Sequence, residues 1–277
     1  MFRRVFLELL KAVFYGIVEG ITEWLPISST GHLIIFESLI PMGMSDAFME
    51  MFRVVIQFGA ILAVVVLFWE DIWPFESKSF KPIHRKFILW FKIIFATIPA
   101  VIVGLLFEDF IDKYFYNYWT VASALIIFGI AFIYVEKKNE GMDPRVTDLR
   151  RLKYKDALII GLFQVLAAIF PGTSRSGATI LGGISIGTSR TVAAEFTFFL
   201  AIPVMFGASL LKLIKFGFSF TALEIGVLLT GCAVAFGVSL VAIKFLMSYI
   251  KKNDFKLFGW YRIVLGILVL LYHGLLR

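Results

Sequence analysis

The chain has 277 residues, 60% of them hydrophobic and only 17% charged, with 31 phenylalanines and a formal net charge of +7. A soluble domain is about half apolar and a quarter charged, and a globule of this size cannot hide so much apolar surface. A cytosolic enzyme, a secreted domain and a disordered chain are therefore excluded, and the single cysteine, Cys232, excludes a disulfide framework. The basic residues sit in short loops between apolar runs, which is the positive-inside pattern and not a nucleic-acid surface.

The first apolar run, 5–24, carries Glu8, Lys11, Glu19 and Glu23 and no small-residue cleavage pattern, so it does not read as a cleavable signal peptide. It ends on Pro26-Ile27-Ser28-Ser29-Thr30-Gly31, and the apolar run that follows, 32–41, is too short to cross a bilayer. Spans are predicted at 51–69, 87–107 and 118–135. The charged loop 136–155 is too small to bury a core of its own. A second broken stretch, 156–170, meets Pro171-Gly172-Thr173-Ser174-Arg175-Ser176-Gly177 and a short run, 178–187. Further spans are predicted at 191–213, 222–243 and 257–275. The expected architecture is an all-α polytopic membrane protein, a single integral membrane domain over residues 1–277.

An offset of 145 residues lays the two broken stretches on each other without a gap: Gly16 on Gly161, Glu19 on Gln164, Pro26 on Pro171, Ser28 on Thr173, Ser29 on Ser174, Ile35 on Ile180 and Glu50 on Glu195. Repeat 1 covers about 1–140 and repeat 2 about 150–277. If each broken stretch is a re-entrant helix hairpin, three full spans per repeat turn the second repeat upside down relative to the first. Loops 70–86, 136–155 and 244–256 hold most of the basic residues, which places them in the cytoplasm and both termini outside, against the mild opposing signal of Arg3 and Arg4. If 5–24 spans fully instead, the repeats are parallel and the charge split blurs. Two inverted repeats, each a re-entrant hairpin plus three transmembrane helices, is the preferred reading. Such a plan is transporter-like, with a polar site where the breaks meet near mid-membrane.

Glu19 and Glu23 stand four apart on one helix face. Two carboxylates at such depth repel each other and are costly to desolvate. Either one is protonated and the pair is a hydrogen bond, or a hard divalent cation, Mg²⁺ or Ca²⁺, lies between them. Ser28, Ser29 and Thr30 can cap the returning half-helix, and a helix N-terminus also receives anions. His32 beside them reads as an acid–base group, although a lone histidine can simply bond a carbonyl. Arg175, between apolar runs, needs an anionic partner: Glu19 or Glu23 as structure, or a phosphate held with Ser174 and Ser176. Glu50 and Glu195 near helix starts complement the dipole, and Glu195 with Arg190 reads as an interface. Arg53 and Gln57 share a face that would line the cavity, and Gly59, Gly104, Gly129, Gly207 and Gly266 read as close-packing positions.

The stretch Glu19-Gly20-Ile21-Thr22-Glu23-Trp24-Leu25-Pro26-Ile27-Ser28-Ser29-Thr30-Gly31-His32 resembles the first signature of bacterial undecaprenyl-pyrophosphate phosphatases, the bacitracin-resistance family. Pro171-Gly172-Thr173-Ser174-Arg175-Ser176-Gly177-Ala178-Thr179 resembles the second, with Trp24 and Thr173 as tolerable variants. The likeness extends over nearly the whole chain. It implies a multi-pass enzyme of the bacterial cytoplasmic (inner) membrane, its active site facing the periplasm. The implied reaction hydrolyses undecaprenyl pyrophosphate to undecaprenyl phosphate and inorganic phosphate with Mg²⁺ or Ca²⁺, recycling the cell-wall lipid carrier and conferring bacitracin resistance. Expected partners are that substrate and membrane lipid, no nucleic acid, with a homodimer left open. The family's functional residues match Glu19, Glu23, Ser29, His32, Ser174 and Arg175.

On this reading Glu19 and Glu23 hold the cation, and Arg175, Ser174, Ser176, Ser28 and Thr30 hold the headgroup. The attacking oxygen is either Ser29 or a water, with His32 as base or as acid toward the leaving group. The alternative is a transporter or flippase of a polyprenyl-phosphate lipid that uses the same pocket without hydrolysis. A purely structural scaffold leaves the buried charges unexplained.

Overall fold

The computed structural model describes residues 2–76 and 79–275. Lys78, counted above with the 70–86 loop, lies outside them. No strand occurs among the described residues, which is the outcome a lipid-embedded chain requires: a helix pairs its backbone groups within itself where no water can do so. The first broken stretch forms α1 (Phe2–Thr22) and α2 (Ser29–Leu39), followed by α3 (Asp46–Leu67), the short α4 (Trp69–Ile72), α5 (His84–Phe115) and α6 (Tyr118–Lys138). The second forms α7 (Tyr154–Ile169) and α8 (Arg175–Ser185), followed by α9 (Arg190–Phe216), α10 (Ala222–Tyr249) and α11 (Lys256–Leu275).

Among the described residues six helices are long and apolar enough to cross a membrane: α3, α5, α6, α9, α10 and α11. They coincide with the six predicted spans, and the chain is a multi-pass membrane protein. α1 is long but carries Arg3, Arg4, Glu8, Lys11 and Glu19, and it is not among them.

Each broken stretch folds back so that its two ends share one side. Tyr15 of α1 donates to the Ile40 carbonyl at 3.1 Å, Lys11 to the Pro41 carbonyl at 2.7 Å, and Arg4 to the Gly43 carbonyl at 3.2 Å. Thus the beginning of α1 lies beside the end of α2. In the second hairpin Arg145 joins Asp156, at the start of α7, at 2.7 Å and donates to the Ile186 carbonyl at the end of α8 at 3.2 Å. The first mouth lies towards the end of the bundle where Lys212, late in α9, meets Glu50 of α3 at 2.6 Å. The second lies where α9 begins, with Arg190 on Glu136 of α6 at 2.6 Å. This arrangement is compatible with two inverted repeats.

The two halves exchange helices. α1 packs against α10 and α7 against α5, while α3 pairs with α9 and α6 with α11. Glycine sets the crossings: a Cβ on Gly16 would lie 2.8 Å from the Gly231 carbonyl, and one on its repeat partner Gly161 would lie 2.1 Å from the Ala96 carbonyl. Of the predicted close-packing glycines, Gly59, Gly129 and Gly266 do abut carbonyls of Cys232, Gly259 and Ala122. Gly104 and Gly207 do not, since nothing lies within 4 Å of a Cβ built there. Both lie in long helices with lipid-facing sides, so a small residue in an apolar run is not by itself a contact.

Candidate active site

Both breaks end in the same device. Ser28 has φ 72° and accepts from Gly31 N–H at 3.3 Å to cap α2. Ser174 has φ 67° and accepts from Gly177 N–H at 3.2 Å to cap α8. A left-handed serine places its hydroxyl over the first turn, where the orphan N–H groups need an acceptor. The register of the repeat changes here. The caps Ser28 and Ser174 are 146 residues apart, so Ser28 matches Ser174 and not Thr173, and Arg175 matches Ser29 and not Thr30. The additional residue falls in the second turn, where Gly172 has φ 93° and passes so close to α6 that a Cβ would lie 2.5 Å from the Val121 carbonyl.

The breaks meet through a buried ion pair. Arg175 Nη2 and Nε lie 3.0 and 3.3 Å from Glu23 Oε1, and these side chains are only 12% and 8% exposed. Ser29 Oγ donates to the other carboxylate oxygen at 3.3 Å. Arg175 Nη1 donates to the Thr197 carbonyl of α9 at 2.9 Å, and its guanidinium lies over the buried Trp24 ring at 5.8 Å. Ser174 and Ser176 hydroxyls are 3.2 Å apart, and Ser176 reaches the Leu25 carbonyl of the first break at 3.5 Å. Thr30 stands half-buried on the first turn of α2.

Glu19 is fully buried and lies against the Glu23 carboxyl, with no N–H or hydroxyl donor on either of its oxygens. Gln164, its repeat partner, Trp24 Nε1 and Thr173 Oγ1 are likewise buried without partners. A buried polar group without a partner calls for a ligand, ion or water beside it. The orphaned carboxylate of Glu19, one turn from Glu23, is a hard oxygen donor set that fits Mg²⁺ or Ca²⁺. Among the described residues no three His, Cys, Asp or Glu side chains gather to enclose a metal.

His32 is buried one turn after Ser28. Its Nδ1 lies 2.7 Å from the Ser28 carbonyl, and its Nε2 lies 2.7 Å from the Tyr261 hydroxyl. The two rings stack with centroids 5.7 Å apart.

Three contributors escape the sequence reading. Arg262 of α11 is fully buried and donates to the carbonyls of Pro26 at 3.3 Å, Gly172 at 3.1 Å and Thr173 at 2.5 Å. One guanidinium therefore ties the two breaks together. Its signal was available, a charge inside the predicted span 257–275, by the same logic that singled out Arg175. Tyr261 and Thr197 carry no such signal, because tyrosine and threonine are ordinary in spans.

Other expectations resolve outside the site. Arg53 pairs with Glu37 of α2 at 2.8 Å and is drawn to that helix, not to the breaks. Arg190 marks an interface, clamping Glu136, which also accepts from Phe255 N–H at 3.0 Å. Glu195 lines a separate cavity of about 600 Å³ with Asp71, Lys92, Asp148 and Arg150.

Residues 12–268 match the family described as bacitracin resistance protein BacA. The undecaprenyl-diphosphatase of Desulfitobacterium hafniense is 63% identical over 266 residues, covering 96% of both chains. That of Acetivibrio thermocellus is 62% identical over 267 residues, 96% of this chain and 98% of the relative. An undecaprenyl-diphosphatase of Enterococcus faecalis is 58% identical over 269 residues, 96% of this chain and 97% of the relative. With the family match spanning residues 12–268 and relatives this similar over nearly the whole chain, the chain belongs to the bacitracin resistance protein BacA family.

Proposed function

We infer that this chain is a membrane phosphatase that hydrolyses undecaprenyl diphosphate to undecaprenyl phosphate and inorganic phosphate. It thereby recycles the lipid carrier of cell-wall synthesis and confers bacitracin resistance. The observation that carries the reading is the meeting of Glu23, Ser29 and Arg175 at the two breaks, beside the orphaned Glu19 carboxylate. Full-length relatives named for this activity support it.

The substrate's isoprenoid tail stays in lipid and its diphosphate enters between the hairpins. Arg175 offers a planar fork that matches phosphate oxygens, and it exchanges part of its bond to Glu23 for them. Ser174, Ser176, Ser28 and Thr30 add hydroxyls at two helix N-termini, where free N–H groups favour anions. Glu19 and Glu23 would hold a divalent cation, which supplies charge neutralisation on the transferring phosphoryl group. The attacking oxygen is that of Ser29, whose proton already points at Glu23, or of a water in its place. His32 moves the proton.

Phosphate release from undecaprenyl diphosphate in detergent, with and without chelator, tests the reading. Release that stops with chelator and returns with Mg²⁺ or Ca²⁺ supports it, and no release under any metal overturns it. The hairpin mouths at opposite ends favour a second reading beside it, transfer of the carrier lipid between leaflets, which a proteoliposome assay without hydrolysable substrate reads directly. We place the enzyme in the cytoplasmic membrane with the site facing the periplasm. Labelling of single cysteines at positions 29 and 174 in a Cys232→Ser background tests this. A homodimer is tested by cross-linking in native membranes.

A further inference from the structure

The hydrogen bonds of His32 restrict where its proton can go. The Ser28 carbonyl can only accept, so the Nδ1 that lies 2.7 Å from it carries the hydrogen. In the neutral ring Nε2 is then the lone-pair nitrogen, and the Tyr261 hydroxyl, 2.7 Å away, donates to it. Both ring nitrogens are engaged by protein atoms. A proton arriving at Nε2 must either displace the phenol or pass through it.

The phenol is not there by chance of packing. Tyr261 precedes Arg262, whose guanidinium is tied to the carbonyls of Pro26, Gly172 and Thr173. That tie fixes the height and rotation of α11 against both breaks, so the neighbouring Tyr261 is delivered to His32. The rings stack at an interplanar angle of 13°, and Tyr261 itself is 45% exposed.

We propose that Tyr261 is the relay through which His32 exchanges its proton with the reacting oxygen. This rests on the acid–base role given to His32 above. When water is the attacking oxygen, it forms its bond to phosphorus as one of its protons passes to Tyr261 Oη and the phenol's own proton passes to His32 Nε2. The phosphorus–oxygen bond to the leaving phosphate breaks, and that oxygen keeps the electron pair. The phenol is neutral before and after, and the imidazole becomes imidazolium. The reverse transfer returns the proton to the leaving phosphate. A hydroxyl suits this place because it donates to neutral imidazole and accepts from imidazolium, remaining bonded in both states.

The test is a double-mutant cycle on the full-length enzyme in detergent, read as phosphate release per mole of monodisperse protein. Tyr261→Phe keeps the stacked ring and removes only the hydroxyl. Its kcat is expected to fall by about 100-fold, the lower end of what general acid–base catalysis supplies, with KM within about twofold of the parent because the headgroup contacts are untouched. His32→Ala should fall at least as far, and the double variant should be no slower than His32→Ala alone. Parent-level kcat in Tyr261→Phe, with His32→Ala inactive, overturns the relay and leaves the role of His32 standing. Losses that multiply in the double variant overturn it as well, since they make the hydroxyl an independent packing contribution. Parent-level activity in His32→Ala removes the acid–base reading and the relay together.

Discussion

Arg175 and Glu23 lie 152 residues apart in the chain and 3.0 Å apart in the structure. Each sits at the edge of a helix break, on hairpins that enter the bundle from different ends. The pair is the contact by which the breaks meet, and on the proposed function phosphate would compete with Glu23 for the guanidinium. A charge pair so little exposed is weak evidence of added stability, because desolvation offsets most of the attraction. On the proposed function it serves as a preformed anion clamp, neutral until substrate arrives.

Breaking the clamp should therefore harm activity more than fold. Arg175→Lys keeps the charge and loses the fork. We expect kcat/KM to fall by roughly 100-fold or more, the order seen when one transition-state donor is removed, while the variant still purifies as a monodisperse species. Retention of more than half the parent rate would remove Arg175 from the site.

Glu19 and Glu23 should differ in what their loss does. Glu19→Gln removes an orphaned carboxylate, so activity should vanish without loss of folded protein, and excess Mg²⁺ or Ca²⁺ should not restore it. Glu23→Gln leaves Arg175 without its counter-charge, which costs about 3 kcal/mol or more in stability. Thermal unfolding in detergent beside a metal titration of activity separates the two.

Ser29→Ala, assayed at saturating metal, decides the attacking oxygen. A fall of about 100-fold or more is expected if Ser29 attacks, since its hydroxyl is already aligned on Glu23. Activity near that of the parent assigns the attack to water.

Arg262→Met should be among the most damaging changes outside the phosphate contacts. It leaves the Pro26, Gly172 and Thr173 carbonyls without their charged donor. Hydrogen bonds to charged groups contribute about 1.5–3 kcal/mol each, and the loss should appear as a lower unfolding midpoint together with lost activity. Arg262→Lys should recover part of the midpoint. An unchanged midpoint in Arg262→Met would show that the breaks hold together without it.

Gly172→Ala tests the second turn. The residue has φ 93° and no room for a Cβ beside Val121. A strained residue of this kind costs about 1–3 kcal/mol, and the clash adds to it. We expect reduced folded yield and a displaced Ser174 cap, read as weakened binding of inorganic phosphate.

Much of this protein is legible without coordinates, because a bilayer leaves few options. A run of about 20 apolar residues becomes a helix whatever surrounds it. The six spans, the two breaks, and Glu19, Glu23 and Arg175 follow from hydropathy and from the cost of charge in lipid. Tertiary structure alone decided the remainder. It put the repeat one residue out of register at the caps of α2 and α8, because the left-handed Ser28 and Ser174 define equivalence there and sequence spacing does not. It assigned Arg53 to Glu37, and left Gly104 and Gly207 without neighbours. It brought Tyr261 and Arg262 to the breaks, a result that depends on how α11 is rotated against α6 and α2. Hydropathy records how deep a residue can lie, a property of one segment and the solvent around it. Which side chains meet at that depth is set by the packing of helices distant in sequence, and no single segment carries that information.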